Sequence, residues 1–288
     1  MKISVITVCK NSASTICNTF ESLLNQTYFD IDYIVIDGNS TDATISIIEK
    51  YESKFKGRMR WISERDKGLY DAMNKGIKLA VGEIIGIINS DDYLASNDVL
   101  EDVHKIICEK KKDSCYGNLL YMKNNKPYRF WQAGKQKSFK FGWMPPHPSF
   151  FIRKSIYDKY GCFRLDCGST ADYELMLRFF EKEKITTEWI NKLFIVMRTG
   201  GVSNISLLSR IEAHHYDKKG WTKNNLSPYF FTFFLKKILK IPQYLILNKL
   251  YGENFTLRSL RIQKNKSPPS IVCVKNSEVL SIGELRSN

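Results

Sequence analysis

Short runs of consecutive apolar residues alternate with longer segments whose apolar positions return every three or four residues. The short runs are "ISVITV" (Ile3 to Val8), "DYIVID" (Asp32 to Asp37), "RMRWISE" and "GEIIGIIN" (Gly82 to Asn89). The first is continuously apolar or β-branched, which predicts a strand covered on both faces, and the others read as its companions. Between them lie "NSASTICNTFESLLNQ", with Ile16, Phe20, Leu23 and Leu24 at helical spacing, then "STDATISIIEKYESKF", with Ser40 or Thr41 as its cap, and then "GLYDAMNKGIKLAV". Strand and helix alternating in this way predict an α/β fold, a mostly parallel sheet flanked by helices on both faces. In such sheets ligands bind at the carboxyl ends of the strands. That places the chemistry at Val8 to Asn11, Asp37 to Ser40, Glu64 to Gly68 and Asn89 to Asp92 before any motif is considered.

From Leu94 to about Ile205 the alternation loosens. It holds a helix near "NDVLEDVHKIICEKK", a strand-like "SCYGNLLYM", a loop rich in Gly, Pro and aromatic residues, "FKFGWMPPHPSF", and the helix "ADYELMLRFFEKE". There is no internal repeat. The chain divides into residues 1–205 as a catalytic unit, a helical basic extension over 206–265, and a polar tail over 266–288.

The 288 residues suffice for one large domain with an appendage. Hydrophobic residues at 43% and charged residues at 26% exclude wholesale disorder and a fibrous class. The net charge of +14 is uneven: from Ser206 onward there are 14 basic residues against 5 acidic, so most of the excess belongs to the last quarter. Such a surface points to an anionic partner. The seven cysteines are scattered and never spaced CxxC, which argues against a disulfide framework or a zinc site. The first apolar run is too short for a signal-peptide core, no stretch is long enough to span a bilayer, and the expected address is cytoplasmic.

Acidic residues gather where strands end: Asp37, Asp66, and the pair Asp91-Asp92 in "INSDDYL". Adjacent carboxylates after a buried strand repel each other unless a cation or a set of donors neutralises them. A Mg2+ or Mn2+ site with positions left for phosphate oxygens is one solution, and a turn with a helix cap is the other.

The blocks "ISVITVCKNSASTICNTFESLLNQTY", "DYIVIDGNSTDATISIIEKY" and "GEIIGIINSDDYL" resemble, in order, the strand-helix blocks of family 2 glycosyltransferases of the GT-A fold. "SERDKGLYDAMNKGIKLAVGE" is similar to a subgroup involved in bacterial surface-polysaccharide assembly, and the likeness continues through "HPSFFIRKSIYDKYGCFRLDCGSTADYELMLRFF" and "RTGGVS". The resemblance implies an enzyme that moves a sugar from a nucleoside diphosphate to a hydroxyl with inversion. It implies that Asp37 bonds the nucleotide base, and that Asn89-Ser90-Asp91 stands at the family's DxD position, with Asp91 binding the divalent metal. Asn89 replaces the usual first Asp, can still reach a ribose hydroxyl, and brings no charge to the metal, which leaves Asp92 as a second metal candidate. Asp66 and Asp71 fall in the segment that approaches the nucleoside, and Val8 at the first strand end.

Asp172 in "STADYELMLRF" matches the family's catalytic base. Read alone, it is equally a helix cap or first-turn acid, where the helix dipole favours its ionised form. Glu174 is its nearest competitor. His147 in "PPHPSF" matches a position near the acceptor cleft or is simply an exposed loop residue, and Trp143 either stacks on a sugar or covers the core. Arg198, with Gly200 and Gly201, resembles a loop that closes over the diphosphate, or is a turn after a strand.

"SPYFFTFFLKKILKIPQYLILNKLYG" stands apart. On a helix Phe231, Phe234, Leu235 and Ile238 share a face and Lys236 and Lys240 another, with Pro242 ending it. That suits a helix lying on the inner face of an anionic membrane, where a lipid-linked oligosaccharide acceptor would be met. The alternative is a helix packed on the catalytic unit with its lysines in solvent.

The leading expectation is therefore a transferase using a nucleotide sugar, UDP-linked by preference, peripheral on the cytoplasmic face of the plasma membrane. Three other classes compete. A nucleic-acid binder would need a basic groove where this chain has carboxylates. A scaffold without activity is suggested by Asn89. A sugar nucleotidyltransferase would need a glycine-rich loop that "VCKNSAST" lacks.

Overall fold

The computed structural model describes residues 1–199 and 207–245, with backbone only for 207–211. Gly200 and Gly201 of the expected closing loop, the extension beyond 245 with Lys249, and the tail 266–288 lie outside the described residues.

The four predicted apolar runs form parallel strands β1 (Ile3–Cys9), β2 (Ile31–Asp37), β3 (Met59–Ser63) and β4 (Ile84–Ile87). They continue into one sheet with β5 (Tyr93–Leu94), β6 (Ser114–Lys123), β7 (Lys126–Trp131), β8 (Phe150–Arg153) and β9 (Thr187–Arg198), in the order β3-β2-β1-β4-β8-β6-β9-β5 with β7 beside β6. Pairing is parallel across β3-β2-β1-β4 and between β6 and β9, and antiparallel where β8 joins β4 to β6. Successive side chains of a strand point to opposite faces, and in β1 and β2 both faces are apolar. Ile6, Val8, Ile34 and Ile36 face one core, and Ile3, Val5, Tyr33 and Val35 the other.

Helices cover both faces. α3 (Leu69–Leu79) packs Ala72, Met73 and Ile77 into the first core, while α1 (Ile16–Leu24), α2 (Thr44–Glu52) and α4 (Val99–Glu109) bury Phe20, Ile48 and Val103 in the second. The expected cap of α2 is corrected: the helix starts at Thr44, and the Asp42 carboxylate takes the backbone N–H groups of Thr44 (3.0 Å) and Ala13 (3.1 Å). Ser40 and Thr41 are engaged by the neighbouring strand ends instead.

After α5 (Lys154–Tyr160) comes α6 (Ala171–Leu177), which widens into a π-helical turn at Arg178–Lys182. The C-terminal helices α7 (Leu207–Lys223) and α8 (Thr232–Ile238) pack on this half of the molecule. Trp221 is buried and donates its indole N–H to the Tyr173 hydroxyl at 3.0 Å. Thr232 Oγ1 donates to the Lys140 carbonyl at 2.7 Å, tying α8 to the loop before Trp143. Lys236 departs from its expected solvent face. Its ammonium lies 2.6 Å from the Asp217 carboxylate and 3.6 Å from the centre of the Tyr173 ring. Among the described residues no helix is long and apolar enough to cross a membrane.

Candidate active site

The chain reverses its direction of sheet growth between β1 and β4, so the crevice at their carboxyl ends is a switch point of the kind that binds ligands. The loops there are laced together. Asn11, in the left-handed region at φ 51°, donates its N–H to Ser40 Oγ at 2.8 Å and accepts the Thr41 N–H at 2.8 Å. Ser12 and Ser90 hydroxyls meet at 2.8 Å, joining the β1 end to the β4 end. Val8 is buried in the strand just before this loop.

Asp37 is 0% exposed. One carboxylate oxygen accepts from the Ser40 hydroxyl and the Cys9 thiol, and the other from the Ser40 N–H (2.9 Å) and the Ser63 hydroxyl (2.7 Å). It holds three strand ends together. Asp66 borders the same crevice: a Cβ on Gly38 would stand 2.9 Å from Asp66 Oδ2, and Lys75 pairs with Asp66 at 2.6 Å. Asp71 lies one turn along, accepting the Lys67 N–H at 2.9 Å and standing 3.9 Å from Lys75. Lys75, also 2.7 Å from Glu64, is thus a cation set among three carboxylates.

The pair expected to share a cation is split by burial. Asp91 keeps partial access to solvent, whereas Asp92 is 0% exposed and accepts the Asn89 side-chain amide at 3.0 Å. Burial raises the Asp91 carboxyl above its ordinary value, against the Arg198 charge. Burial, then the charge of Asp91, push Asp92 well above the carboxylate range, opposed by the Asn89 amide and Arg198. The strand pairing delivers Arg198: β9 lies antiparallel to β5 and carries it past Tyr93, whose ring centre is 6.0 Å from the guanidinium. Asn89 Oδ1 and Asp92 Oδ1 are buried and have no hydrogen-bond partner among the described residues. No group of three or more His, Cys, Asp or Glu able to hold a metal occurs among the described residues. One accessible carboxylate fits a hard cation that draws its other ligands from water and phosphate. Asp91 is the accessible carboxylate of the pair, and Asp92 is enclosed as a partner of the Asn89 amide.

Asp172 is the second residue of α6, after Thr170 at the cap, so it is not the capping residue. Its Oδ1 accepts the Tyr173 N–H at 2.8 Å and the Tyr70 hydroxyl at 3.0 Å. Its Oδ2 has no hydrogen-bond partner among the described residues. Glu174 is removed from competition: fully buried, it pairs with Arg164 (2.9 Å) and Arg178 (3.3 Å) and accepts the Asn224 amide (2.9 Å). His147 is buried, not exposed, edge-on to Phe163 at 5.5 Å. Burial holds its imidazole below the ordinary value while the Asp172 charge pulls it up. Trp143 covers the core. It is buried among Phe139, Tyr116 and Phe180 and donates to the Ala133 carbonyl at 3.0 Å. Burial raises the ionisation of Tyr121 on β6, opposed by Arg129 and reinforced by the charges of Asp92 and Asp172.

No role for Tyr70 or Asn74 is legible in the sequence. They stand one helical turn apart on α3, a spacing that puts them on one face. Asn74 exchanges two hydrogen bonds with the Phe163 backbone (2.9 and 3.0 Å), and Tyr70 reaches Asp172 and the Ser169 carbonyl (3.2 Å).

The model for "Glycosyl transferase family 2" matches residues 4–170. A PGL/p-HBAD biosynthesis glycosyltransferase of Mycobacterium bovis is 28% identical over 203 residues, covering 70% of this chain and 78% of that one. An uncharacterised glycosyltransferase of Mycobacterium tuberculosis is 33% identical over 187 residues, covering 61% and 68%. Among solved structures, S. aureus TarS with UDP-GlcNAc superposes with a TM-score of 0.56 at 19% identity, over 77% of this chain and 71% of that one. A mannosyltransferase of Pyrobaculum calidifontis with GDP-Man and Mn2+ gives 0.59 at 14%, over 90% and 78%. Sheet order, strand-end carboxylates and these likenesses converge: the chain has the GT-A fold and belongs to glycosyl transferase family 2.

Proposed function

We propose that the protein transfers a sugar from a nucleoside diphosphate, UDP by preference, to a hydroxyl of a growing surface glycan with inversion at the anomeric carbon. The observation that carries this reading is Asp172: one oxygen is held by Tyr70 and Tyr173, and the other has no partner among the described residues. A carboxylate so placed can take the acceptor hydroxyl's proton as that oxygen bonds the anomeric carbon and the bond to the diphosphate breaks. Attack and departure on opposite faces invert the configuration without a covalent enzyme intermediate.

The donor occupies the β1/β4 crevice, with Asp37 and Asp66 at the nucleoside and Arg198 toward the diphosphate. A base reaching Asp37 would replace one of the serine hydroxyls now bonded to it. Asp91 would hold a divalent cation, Mg2+ or Mn2+, which when bound supplies Lewis-acid stabilisation of the departing diphosphate. The nucleotide sugars and Mn2+ in the fold's other members support both assignments.

Residues 1–205 carry the chemistry, and the 206–265 extension serves an anionic membrane surface on its cytoplasmic side, where a lipid-linked acceptor would sit. Lys237 and Lys240 beside exposed Phe230, Phe234 and Ile241 support this. A carboxylate-lined crevice suits a metal-bound diphosphate rather than a nucleic-acid backbone.

Thermal stability measured with UDP, GDP and dTDP, with and without Mn2+, tests the reading. One nucleotide is expected to stabilise the protein in a Mn2+-dependent way. Asp91→Ala should lose the effect, while Asp172→Asn keeps it and loses transfer by about 10³-fold or more. No response to any nucleotide from folded protein favours the scaffold reading, for which the engagement of the Asn89 amide by Asp92 is the specific observation.

A further inference from the structure

We propose that Tyr70 is a positioning residue for Asp172, locking Oδ1 so that Oδ2 is the atom presented to the acceptor hydroxyl. The proposal rests on the assignment of Asp172 as the base.

A lone carboxylate at the start of a helix is free to rotate about its last side-chain bond and to present either oxygen. Here rotation is blocked from two sides. The Tyr173 N–H, fixed by the helix, meets Oδ1 at 2.8 Å, and the Tyr70 hydroxyl meets the same oxygen at 3.0 Å. Tyr70 is itself held. Its ring lies 5.2 Å from that of Phe163, tilted by 34°, and Asn74, one turn along, is doubly bonded to the Phe163 backbone. The hydroxyl also lies 3.2 Å from the Ser169 carbonyl, a second acceptor at the cap of α6. The phenol has one proton for these two acceptors, and the nearer, charged Asp172 oxygen is the stronger of them. Burial, followed by the Asp172 charge, raises the Tyr70 ionisation and keeps that proton on the phenol.

The arrangement also links the two halves of the site. Tyr70 is on α3, the helix that follows the Asp66 segment at the donor crevice, whereas Asp172 begins α6 on the acceptor side. The Tyr70 hydrogen bond therefore ties the helix beside the donor crevice to the carboxylate of α6. The other ionisable groups around Asp172 are His147 before β8, Asp217 on α7 and Tyr121 on β6. None of these hydrogen-bonds Asp172 among the described residues.

The test is carboxyl 13C NMR of the full chain labelled at aspartate, at one fixed neutral pH, with the Asp172 signal assigned by its loss in Asp172→Asn. In Tyr70→Phe, which keeps the ring against Phe163, that signal should shift and kcat should fall about tenfold or more with the donor KM unchanged. Stabilisation by UDP with Mn2+ should be unchanged. Replacing Tyr70 with 3-fluorotyrosine, a stronger donor of nearly the same shape, should move the signal the opposite way and keeps the test alive if Tyr70→Phe fails to fold. A signal that stays in place in both proteins overturns the proposal. Full transfer by Asp172→Asn would instead overturn the base assignment, whatever the carboxyl signal shows.

Discussion

Asp32 shows how a single buried charge in a strand is made tolerable. Its carboxylate accepts from Arg60 (3.0 and 3.1 Å), the Ser4 hydroxyl (2.6 Å) and the Val81 N–H (3.2 Å). Burial pushes its ionisation up, but these donors outweigh burial and hold the carboxyl below its ordinary value. A carboxyl depressed by folding contributes stability that is complete above the unfolded value, near 4, and is lost as pH falls through the folded value. Asp32→Asn should therefore cost about 2 kcal/mol at pH 7. The gap from wild type should narrow as pH falls below about 4. Urea unfolding at several pH values reads this directly, and a gap independent of pH would refute it.

At the scale of elements, two glycines seat the C-terminal helices. Gly142 (φ 75°) lies directly under the start of the second half of α8, where a Cβ would collide with the Lys236 backbone nitrogen. Gly168 (φ 52°) does the same for α7 against the Tyr216 ring. A residue with a side chain is strained in that backbone region and has no room in either place. Gly142→Ala is expected to destabilise the protein by about 1 to 3 kcal/mol and to loosen α8 selectively. Hydrogen exchange should show faster amides over 232–238 with β1 and β2 unchanged. Uniform exchange rates across both regions would mean that α8 is not seated through Gly142. The α8 packing was unreadable from periodicity because Thr232, Phe233 and Lys236 turn inward, while Phe234 and Ile238 of the apolar stripe are exposed.

For the whole molecule, the helix that carries Asp172 is supported by parts of the chain far apart in sequence. α6 is held by α3 through Tyr70, by α7 through Trp221 to Tyr173, by the residue after α7 through Asn224 to Glu174, and by α8 through Lys236 over Tyr173. The segments flanking α8 and the loop before Trp143 present an apolar outer surface: Phe230 is 98% exposed, Leu245 63% and Phe141 51%. Phe141 packs its ring on Tyr229 and Phe231, so the loop leading to Trp143 and His147 shares that surface. If it meets an anionic leaflet, the protein should float with phosphatidylglycerol vesicles and not with phosphatidylcholine. Phe230→Ser with Phe234→Ser should reduce binding about tenfold or more. Equal behaviour of the double variant and wild type would remove the membrane assignment.

Much was legible in the sequence because it was local. Continuous apolar runs separated by 3.6-periodic segments specify parallel strands and covering helices, and the strand-end rule located Asp37, Asn89 and Asp91 without any contact being known. Asp172 at the start of a helix followed from the resemblance and the spacing together. What only the tertiary structure decided is which polar groups are free. Asp91 and Asp92 are neighbours of identical chemistry, yet one retains solvent and the other is sealed against Asn89. Asp172 and Glu174 are two residues apart, yet among the described residues one keeps an oxygen without a partner and the other closes on two arginines. The Tyr70 hydroxyl that holds Asp172 comes from 102 residues away, and no local pattern encodes it.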